Sequence, residues 1–179
     1  MDPSELIDEL IAREGGYAAL PADRGGPTRY GVTEKVARAH GYTGRMAALP
    51  IATARAIYHA DYWTRPGLDR VEAIAPEIAA ELFDTGVNMG PATAAGFLRR
   101  ALNALNRGAS DYADIPASGA IDDRVIAALR AFLRVRGAAG ETVLVKALDA
   151  IQGERYLALA EKRPADEAFL YGWLANRIG

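Results

Sequence analysis

The sequence predicts a mainly α-helical protein with a short loop or hairpin insert after its first helix. Alanine, leucine, arginine and glutamate are abundant, whereas runs of β-branched residues are scarce, and this composition favours helix over strand. Apolar residues recur at helical spacing in most segments, but residues 17–33 hold too many glycines and prolines for a helix. At 179 residues, the chain can form one compact domain or two small lobes that share a core.

The first helix is predicted from its capping residues. Asp2 is suited to the N-cap, Pro3 to the first helical position, and Glu5 completes a capping-box pattern. An apolar stripe at helical spacing follows, formed by Leu6, Ile7, Leu10 and Ile11. Because residues 15–16 are both glycine, we expect the helix to end there, with Glu14 as the last side chain before the break.

The remaining chain predicts further helices joined by loops. They are expected over about residues 33–40, 50–63, 76–86, 91–106, 122–136, 141–161 and 166–177. Thr33 is suited to cap the first of these, and Gly86 is expected to break the helix that opens at Pro76. The arginines of the later helices, Arg99 among them, are interpreted as part of a solvated face. We expect a division between residues 95 and 96 into two lobes that pack into one compact unit.

The residue types exclude most kinds of catalytic site. There is no cysteine, which excludes a disulfide framework, a thiol nucleophile and a thiolate zinc site. The two histidines, His40 and His59, lie in helical patterns without a zinc-binding spacing. No serine lies in the context of a nucleophile elbow. Carboxylates remain as the catalytic groups, and we expect neither a metal ion nor a cofactor.

The charge balance and the N-terminal segment predict where the chain works. The formal net charge is only -2, without the strong basic patch that nucleic-acid binding requires. The start of the sequence lacks the basic segment and apolar run of a secretory signal, and no stretch approaches the ~20 apolar residues of a membrane span. We therefore expect synthesis in a cytoplasm without stable membrane insertion, so that any action outside the membrane needs a separate export route.

Two carboxylates near the first helix suit glycoside hydrolysis. This reaction needs a carboxylic acid that is still protonated near neutral pH, and a second group that holds water or stabilises the cationic sugar. Glu14 suits the first role, because the negative end of its helix should raise the pKa of its carboxyl group. Asp23 and Thr28 follow on the returning loop and can face Glu14 across a cleft, where together they can hold one attacking water.

One motif consists of two stretches between Glu14 and Thr33. It begins with Glu-Gly-Gly-Tyr and continues over residues 23–33 with Asp-Arg-Gly-Gly-Pro-Thr-Arg-Tyr-Gly-Val-Thr. Both stretches resemble the signature of glycoside hydrolase family 108, the N-acetylmuramidases of phage endolysins and of bacterial proteins once labelled secretion activators. The resemblance implies a lysozyme-like helical fold, with Glu14 as general acid and with Asp23 and Thr28 orienting the water.

Later segments extend the resemblance over nearly the whole chain. They are residues 61–63, Asp-Tyr-Trp; residues 83–90, Phe-Asp-Thr-Gly-Val-Asn-Met-Gly; and residues 169–174, Phe-Leu-Tyr-Gly-Trp-Leu. The C-terminal part resembles the small helical peptidoglycan-binding domain that completes this family. The resemblance implies a muramidase lobe over residues 1–95 and a peptidoglycan-binding lobe over residues 96–179. It also implies cleavage of the β-1,4 bond between N-acetylmuramic acid and N-acetylglucosamine.

The candidates for substrate binding are Tyr17, Tyr30, Trp63 and Asn88. Tyr17 and Tyr30 lie in the family motif. Trp63 precedes a Pro-Gly turn at an expected cleft edge, where its ring can stack on a sugar or belong to the core. Asn88 suits either a turn or a hydrogen bond to a sugar acetamido group. Two of the catalytic candidates also have structural interpretations, since Asp23 can cap a glycine turn and Thr28 can cap or pack.

Three functions remain open at this level. The leading one is an endolysin-type muramidase, a monomer that is released through a holin lesion or exported by a dedicated machine. A lytic transglycosylase needs one catalytic glutamate and no oriented water, and it leaves a 1,6-anhydro end in place of a reducing end. A non-catalytic wall-binding module would carry a vestigial Glu14.

Overall fold

The computed structural model describes residues 2–18, 26–117 and 119–178, and describes Glu14 by its backbone. Within these residues the fold is mainly α-helical, as predicted, with a small three-stranded sheet after the first helix. The chain divides into two compact units, Met1–Arg65 and Pro66–Gly179. The division that the sequence predicts between residues 95 and 96 falls within a helix of the second unit. The functions expected for the two lobes stay predictions.

The first unit begins with α1, Pro3–Glu14. The carboxylate of Asp2 accepts a hydrogen bond from the N–H of Ser4 at 2.9 Å, which is the N-cap that the sequence predicts. The inner face of the helix buries Ile7, Leu10 and Ile11. The helix ends at Gly15, whose φ of 78° suits a residue without a side chain. The predicted boundaries of this helix are therefore confirmed.

The sheet is the insert that the glycine- and proline-rich segment predicts. Its strands are β1 (Tyr17–Ala18), β2 (Thr28–Arg29) and β3 (Val32–Thr33), paired antiparallel in this order. Thr33 ends β3 and caps α2 (Glu34–Ala39), because its hydroxyl accepts a hydrogen bond from the N–H of Val36 at 3.3 Å. The sheet thus leads directly into the next helix, as predicted.

The helix predicted over residues 50–63 changes its winding part of the way along. After a short 3-10 helix at Met46–Ala48, α3 spans Ile51–Tyr58, and His59–Thr64 form a π-helix. The N–H of Arg65 bonds to the carbonyl of Ala60, five residues back, at 3.0 Å. The prediction of one regular helix was wrong here, because composition and spacing do not distinguish the two windings.

The second unit consists of helices. They are α4 (Leu68–Glu72), α5 (Pro76–Met89), α6 (Pro91–Ala104), α7 (Asp123–Arg136), α8 (Ala138–Lys162) and α9 (Glu167–Arg177), with a 3-10 turn at Pro164–Asp166. Helix α5 packs against α4, α6 and α8, and α8 also packs against α7 and α9. The short α4 is not among the predicted helices. Across the described ranges, no helix combines the length and the apolar character needed to cross a membrane.

The break predicted near Gly86 is wrong, because α5 continues to Met89. Gly86 is buried where α6 approaches closely, and a Cβ placed on it would lie 3.7 Å from the Cα of Pro91. The chain turns instead at Gly90, which has a φ of 92°, and Pro91 opens α6. Glycine therefore serves helix packing at residue 86 and the turn at residue 90.

Arg99 does not belong to the solvated face that the sequence predicts. Its side chain is only 1% exposed. The guanidinium donates to the carbonyls of Pro116, at 2.9 Å, and Ala120, and it lies 3.7 Å from the carboxylate of Asp122. Asp122 in turn caps α7. Arg99 thus ties the loop between α6 and α7 to α6, and its charge is compensated where it is buried.

Candidate active site

The candidate acid lies where α1 ends and the sheet begins. Glu14 is the last residue of α1, and the N–H of Gly15 closes the helix on the carbonyl of Ile11 at 3.3 Å. The side chain of Glu14 is outside the described part of the chain, and so is Asp23, which belongs to the connection between β1 and β2. The described frame of this site is therefore the end of α1, the sheet and Thr28.

Thr28 lies on the middle strand of the sheet, where it pairs with Ala18 of β1 and with Thr33 of β3. Its side chain is partly buried. Among the residues that the structure describes, none hydrogen-bonds its hydroxyl. Ala18 is only four residues after Glu14, so its pairing with Thr28 places Thr28 beside the segment that directly follows the candidate acid.

The candidate residues of the sheet do not share one face. Paired residues direct their side chains to the same face, and successive residues of a strand alternate. Thr28 therefore shares its face with Ala18, whereas Tyr17 lies with Arg29 on the other face. Tyr17 is 50% exposed. The structure thus separates Tyr17 from Thr28, although both belong to the same motif.

Tyr30 and Gly31 form the two-residue turn between β2 and β3. Their φ values are 54° and 73°, the left-handed pair of a type I′ turn. Glycine adopts this conformation without cost, whereas tyrosine rarely does. The Tyr58 hydroxyl donates to the carbonyl of Tyr30 at 3.0 Å, and the guanidinium of Arg29 lies 5.0 Å from the Tyr30 ring centre. One face of the Tyr30 ring is therefore occupied by Arg29.

Trp63 lies in the core, with only 2% of its surface exposed. The α-helical spacing from the buried Tyr58 would direct Tyr62 inward, but the π-helix delays the periodicity by one residue and directs Trp63 inward instead. A ring buried to this extent has no face free for a sugar. Of the two interpretations that the sequence leaves open for Trp63, the structure supports the core aromatic.

Asn88 lies in the last turn of α5, in the second unit. Its side-chain amide donates to the backbone carbonyl of Asp84 at 2.8 Å and to the Asp84 carboxylate at 3.1 Å. That carboxylate also accepts a hydrogen bond from Arg177 of α9 at 2.8 Å. Asn88 is exposed, but its donor group is engaged within its own helix.

Two contacts of the first unit join residues that sequence reasoning treats separately. The Nε2 atom of His40 lies 2.9 Å from one carboxylate oxygen of Asp61, and Arg65 lies 2.8 Å from the other. The second contact is the bond between Tyr58 and Tyr30 described above. The bonds of His40 to Asp61 and of Tyr58 to Tyr30 have no local signal in the sequence, because their partners lie in different elements.

A titratable group in the second unit also has no signal in the sequence. Glu81 lies on α5, and burial, followed by the charges of Asp149 and Asp84, raises its pKa to about 7. A hydrogen bond from the Thr85 hydroxyl acts in the opposite direction. The same hydroxyl contacts the side chain of Gln152, and both Thr85 and Gln152 are buried. This polar cluster joins α5 to α8.

Two family models match nearly the whole chain. The model described as Glycosyl hydrolase 108 matches residues 7–90, and the model described as Predicted Peptidoglycan domain matches residues 89–178. These matches confirm the resemblance carried by the motifs. No curated protein matches the sequence.

A solved structure shares the fold. Brucella abortus SagA is similar to this chain with a TM-score of 0.57 and 21% sequence identity, over 94% of this chain and 95% of that chain. At this level of identity the similarity shows the fold alone. The first family match contains α1 from Ile7 onward and the whole sheet, and the second contains α6 to α9. Residues 7–90 therefore belong to glycosyl hydrolase family 108, residues 89–178 form a predicted peptidoglycan domain, and the chain is a glycoside hydrolase that acts on peptidoglycan.

Proposed function

We propose that this chain is an N-acetylmuramidase that hydrolyses the β-1,4 bond between N-acetylmuramic acid and N-acetylglucosamine. The observation that carries the proposal is the frame around Glu14. This residue ends a helix, and the sheet that follows pairs Ala18 with Thr28. Both Glu14 and Thr28 lie in the stretch that matches the glycosyl hydrolase model. This arrangement supports Glu14 as an acid at the end of α1 and the Thr28 hydroxyl as a water-binding group on the sheet that follows.

In the proposed reaction Glu14 is the general acid. Its carboxyl group transfers a proton to the glycosidic oxygen as the C–O bond breaks, so that the departing sugar leaves with a hydroxyl. The C-terminus of a helix carries a partial negative charge, which disfavours an ionised carboxylate beside it. This helps Glu14 to hold its proton until the bond breaks. Asp23 and Thr28 orient one water, and Asp23 takes a proton from it as the water oxygen bonds to the anomeric carbon.

The proposed place of action is the bacterial cell wall. The match of residues 89–178 to a peptidoglycan domain supports wall binding by the C-terminal half. In this proposal the chain is a monomer made in a cytoplasm, and it reaches the wall through a holin lesion or by a dedicated export machine. Tyr17, Tyr30 and Asn88 stay candidates for substrate binding.

The substitution Glu14→Gln tests the proposal, because it keeps the shape of the side chain and removes the transferable proton. We expect the release of muropeptides from purified sacculi to fall roughly 10²–10⁴-fold. Glu9→Gln is the matched control, since Glu9 is an exposed residue of the same helix. Mass spectrometry of the products should find reducing ends.

Three outcomes would contradict the proposal. Near-normal release by a folded Glu14→Gln variant would remove Glu14 from the mechanism. Products that end in 1,6-anhydro sugars would identify a lytic transglycosylase. Wall binding without any released product from the unchanged chain would identify a non-catalytic module.

A further inference from the structure

The turn that follows Thr28 needs an external support. Tyr30 occupies the left-handed region with a φ of 54°, a conformation that costs free energy for a residue with a large side chain. The hairpin of β2 and β3 has strands of only two residues each, and a hairpin this short is not stable by itself. Contacts with the rest of the unit must therefore hold it.

The hairpin is fastened at its base and at its tip. At the base, the N–H of Glu34 donates to the carbonyl of Pro27, the residue before β2, at 3.1 Å. At the tip, the hydroxyl of Tyr58 donates to the carbonyl of Tyr30 at 3.0 Å. Tyr58 is only 6% exposed, so the donor of this hydrogen bond lies on a buried side chain. Thr28 lies between the two fastened points.

The helix that carries Tyr58 is itself bound to the helix that carries the proposed acid. Arg55 of α3 donates to the carboxylate of Asp8 of α1 at 2.9 Å, and the two helices pack against each other. The hydrogen bond from Tyr58 thus connects the turn beside Thr28 to a helix pair that ends, on one side, at Glu14. Loss of that bond loosens the tip of the hairpin without removing its base.

We propose that Tyr58 is a positioning residue for the hydrolysis, which acts through Thr28. Its hydroxyl holds the hairpin so that the Thr28 hydroxyl stays at the distance from α1 that the attacking water requires. This inference rests on the proposed function, in which Thr28 orients that water. A displacement of the hairpin would slow the chemical step and leave the binding of the glycan largely unchanged.

The substitution Tyr58→Phe removes only the hydroxyl, and Tyr112→Phe is its matched control. Tyr112 donates a hydrogen bond of the same kind to the carbonyl of Leu102 at 2.6 Å, in the second unit. With soluble peptidoglycan strands as substrate, we expect Tyr58→Phe to lower kcat roughly tenfold with little change of KM. Tyr112→Phe should keep the kcat of the unchanged chain. Thermal unfolding of both variants separates this effect from a loss of stability.

A double-mutant cycle then shows whether Tyr58 acts through Thr28. In a chain that already carries Thr28→Ala, the further change Tyr58→Phe should leave kcat unchanged. If Tyr58→Phe lowered kcat equally in the unchanged chain and in Thr28→Ala, the positioning role would be overturned. A normal kcat for Tyr58→Phe alone would overturn it as well. An unchanged chain that releases no reducing ends would contradict the proposed function itself. The two failures are therefore distinguishable.

Discussion

The side chain of Glu81 lies on α5 with two other carboxylates close by, and its pKa is raised from 4.5 to about 7. Since the folded protein binds this proton more tightly than the unfolded chain, the group stabilises the fold fully below about pH 4.5. That contribution is lost as the pH rises through about 7. The free energy of unfolding should therefore fall over this range, by about 3 kcal/mol from this group.

Glu81→Gln should flatten this pH dependence, because the amide has no proton to lose. Urea unfolding measured from pH 4 to pH 8 in steps of about one unit would check it. Glu154→Gln is the control, since Glu154 of α8 is 63% exposed and should keep the pH profile of the unchanged chain. A Glu81→Gln variant whose stability still falls as steeply between these pH values would contradict the role given to burial.

At the scale of the helices, two glycines at α6 have opposite roles, one inside the helix and one directly before it. Gly96 lies in the helix interior, and a Cβ added there meets nothing within 4 Å. Gly90 precedes the helix with a φ of 92° and a ψ of 144°. Residues that have a Cβ rarely adopt this backbone conformation. The space around both residues is open. Any difference between them must come from the backbone.

We therefore expect Gly96→Ala to stabilise the fold by about 0.5–1 kcal/mol, because alanine restricts the unfolded chain and favours helix. Gly90→Ala should destabilise it by about 1–3 kcal/mol, because alanine would strain the turn between α5 and α6. Chemical denaturation of the two variants beside the unchanged chain measures both values. Shifts of the same sign would show that the backbone at one of these residues differs from the structure.

At the scale of the molecule, the proposed site predicts the stereochemistry of the product. Glu14 ends α1, and Asp23 follows it in the sequence but lies outside the described residues. A water held between sugar and carboxylate needs a carboxyl separation of roughly 6.5–9.5 Å, whereas direct attack by Asp23 needs roughly 5–5.5 Å. The Thr28 hydroxyl suits the first case, as a second group that can orient the attacking water. We therefore expect inversion at the anomeric carbon.

An NMR time course on soluble glycan strands should then find the α-anomer as the first product of the β-linked substrate. The β-anomer as first product, or a glycosyl group trapped on Asp23, would mean a double displacement. Thr28→Ala provides a separate measurement. If inversion persists at an undiminished rate in this variant, the stereochemistry stands but Thr28 has no part in the mechanism.

The sequence by itself determined the helical class, the insert after α1 and most helix ends, because these depend on residues close together in the chain. Asp2, Thr33 and Asp122 each cap a helix through a bond to a residue two or three positions away. The motif around Glu14 likewise identifies the family from two stretches close together in the sequence. Asp23 and the side chain of Glu14 lie outside the described residues, so their roles stay predictions from that motif.

Only the tertiary structure decided which side chains are buried and which distant residues meet. Trp63 is in the core because a π-helix shifts the helical face by one residue, and Arg99 is buried because a loop many residues later wraps its guanidinium. The raised pKa of Glu81 and the bond from Tyr58 to Tyr30 have the same origin. The burial of Arg99, the raised pKa of Glu81 and the bond from Tyr58 to Tyr30 each depend on groups that chain folding brings together from separate elements.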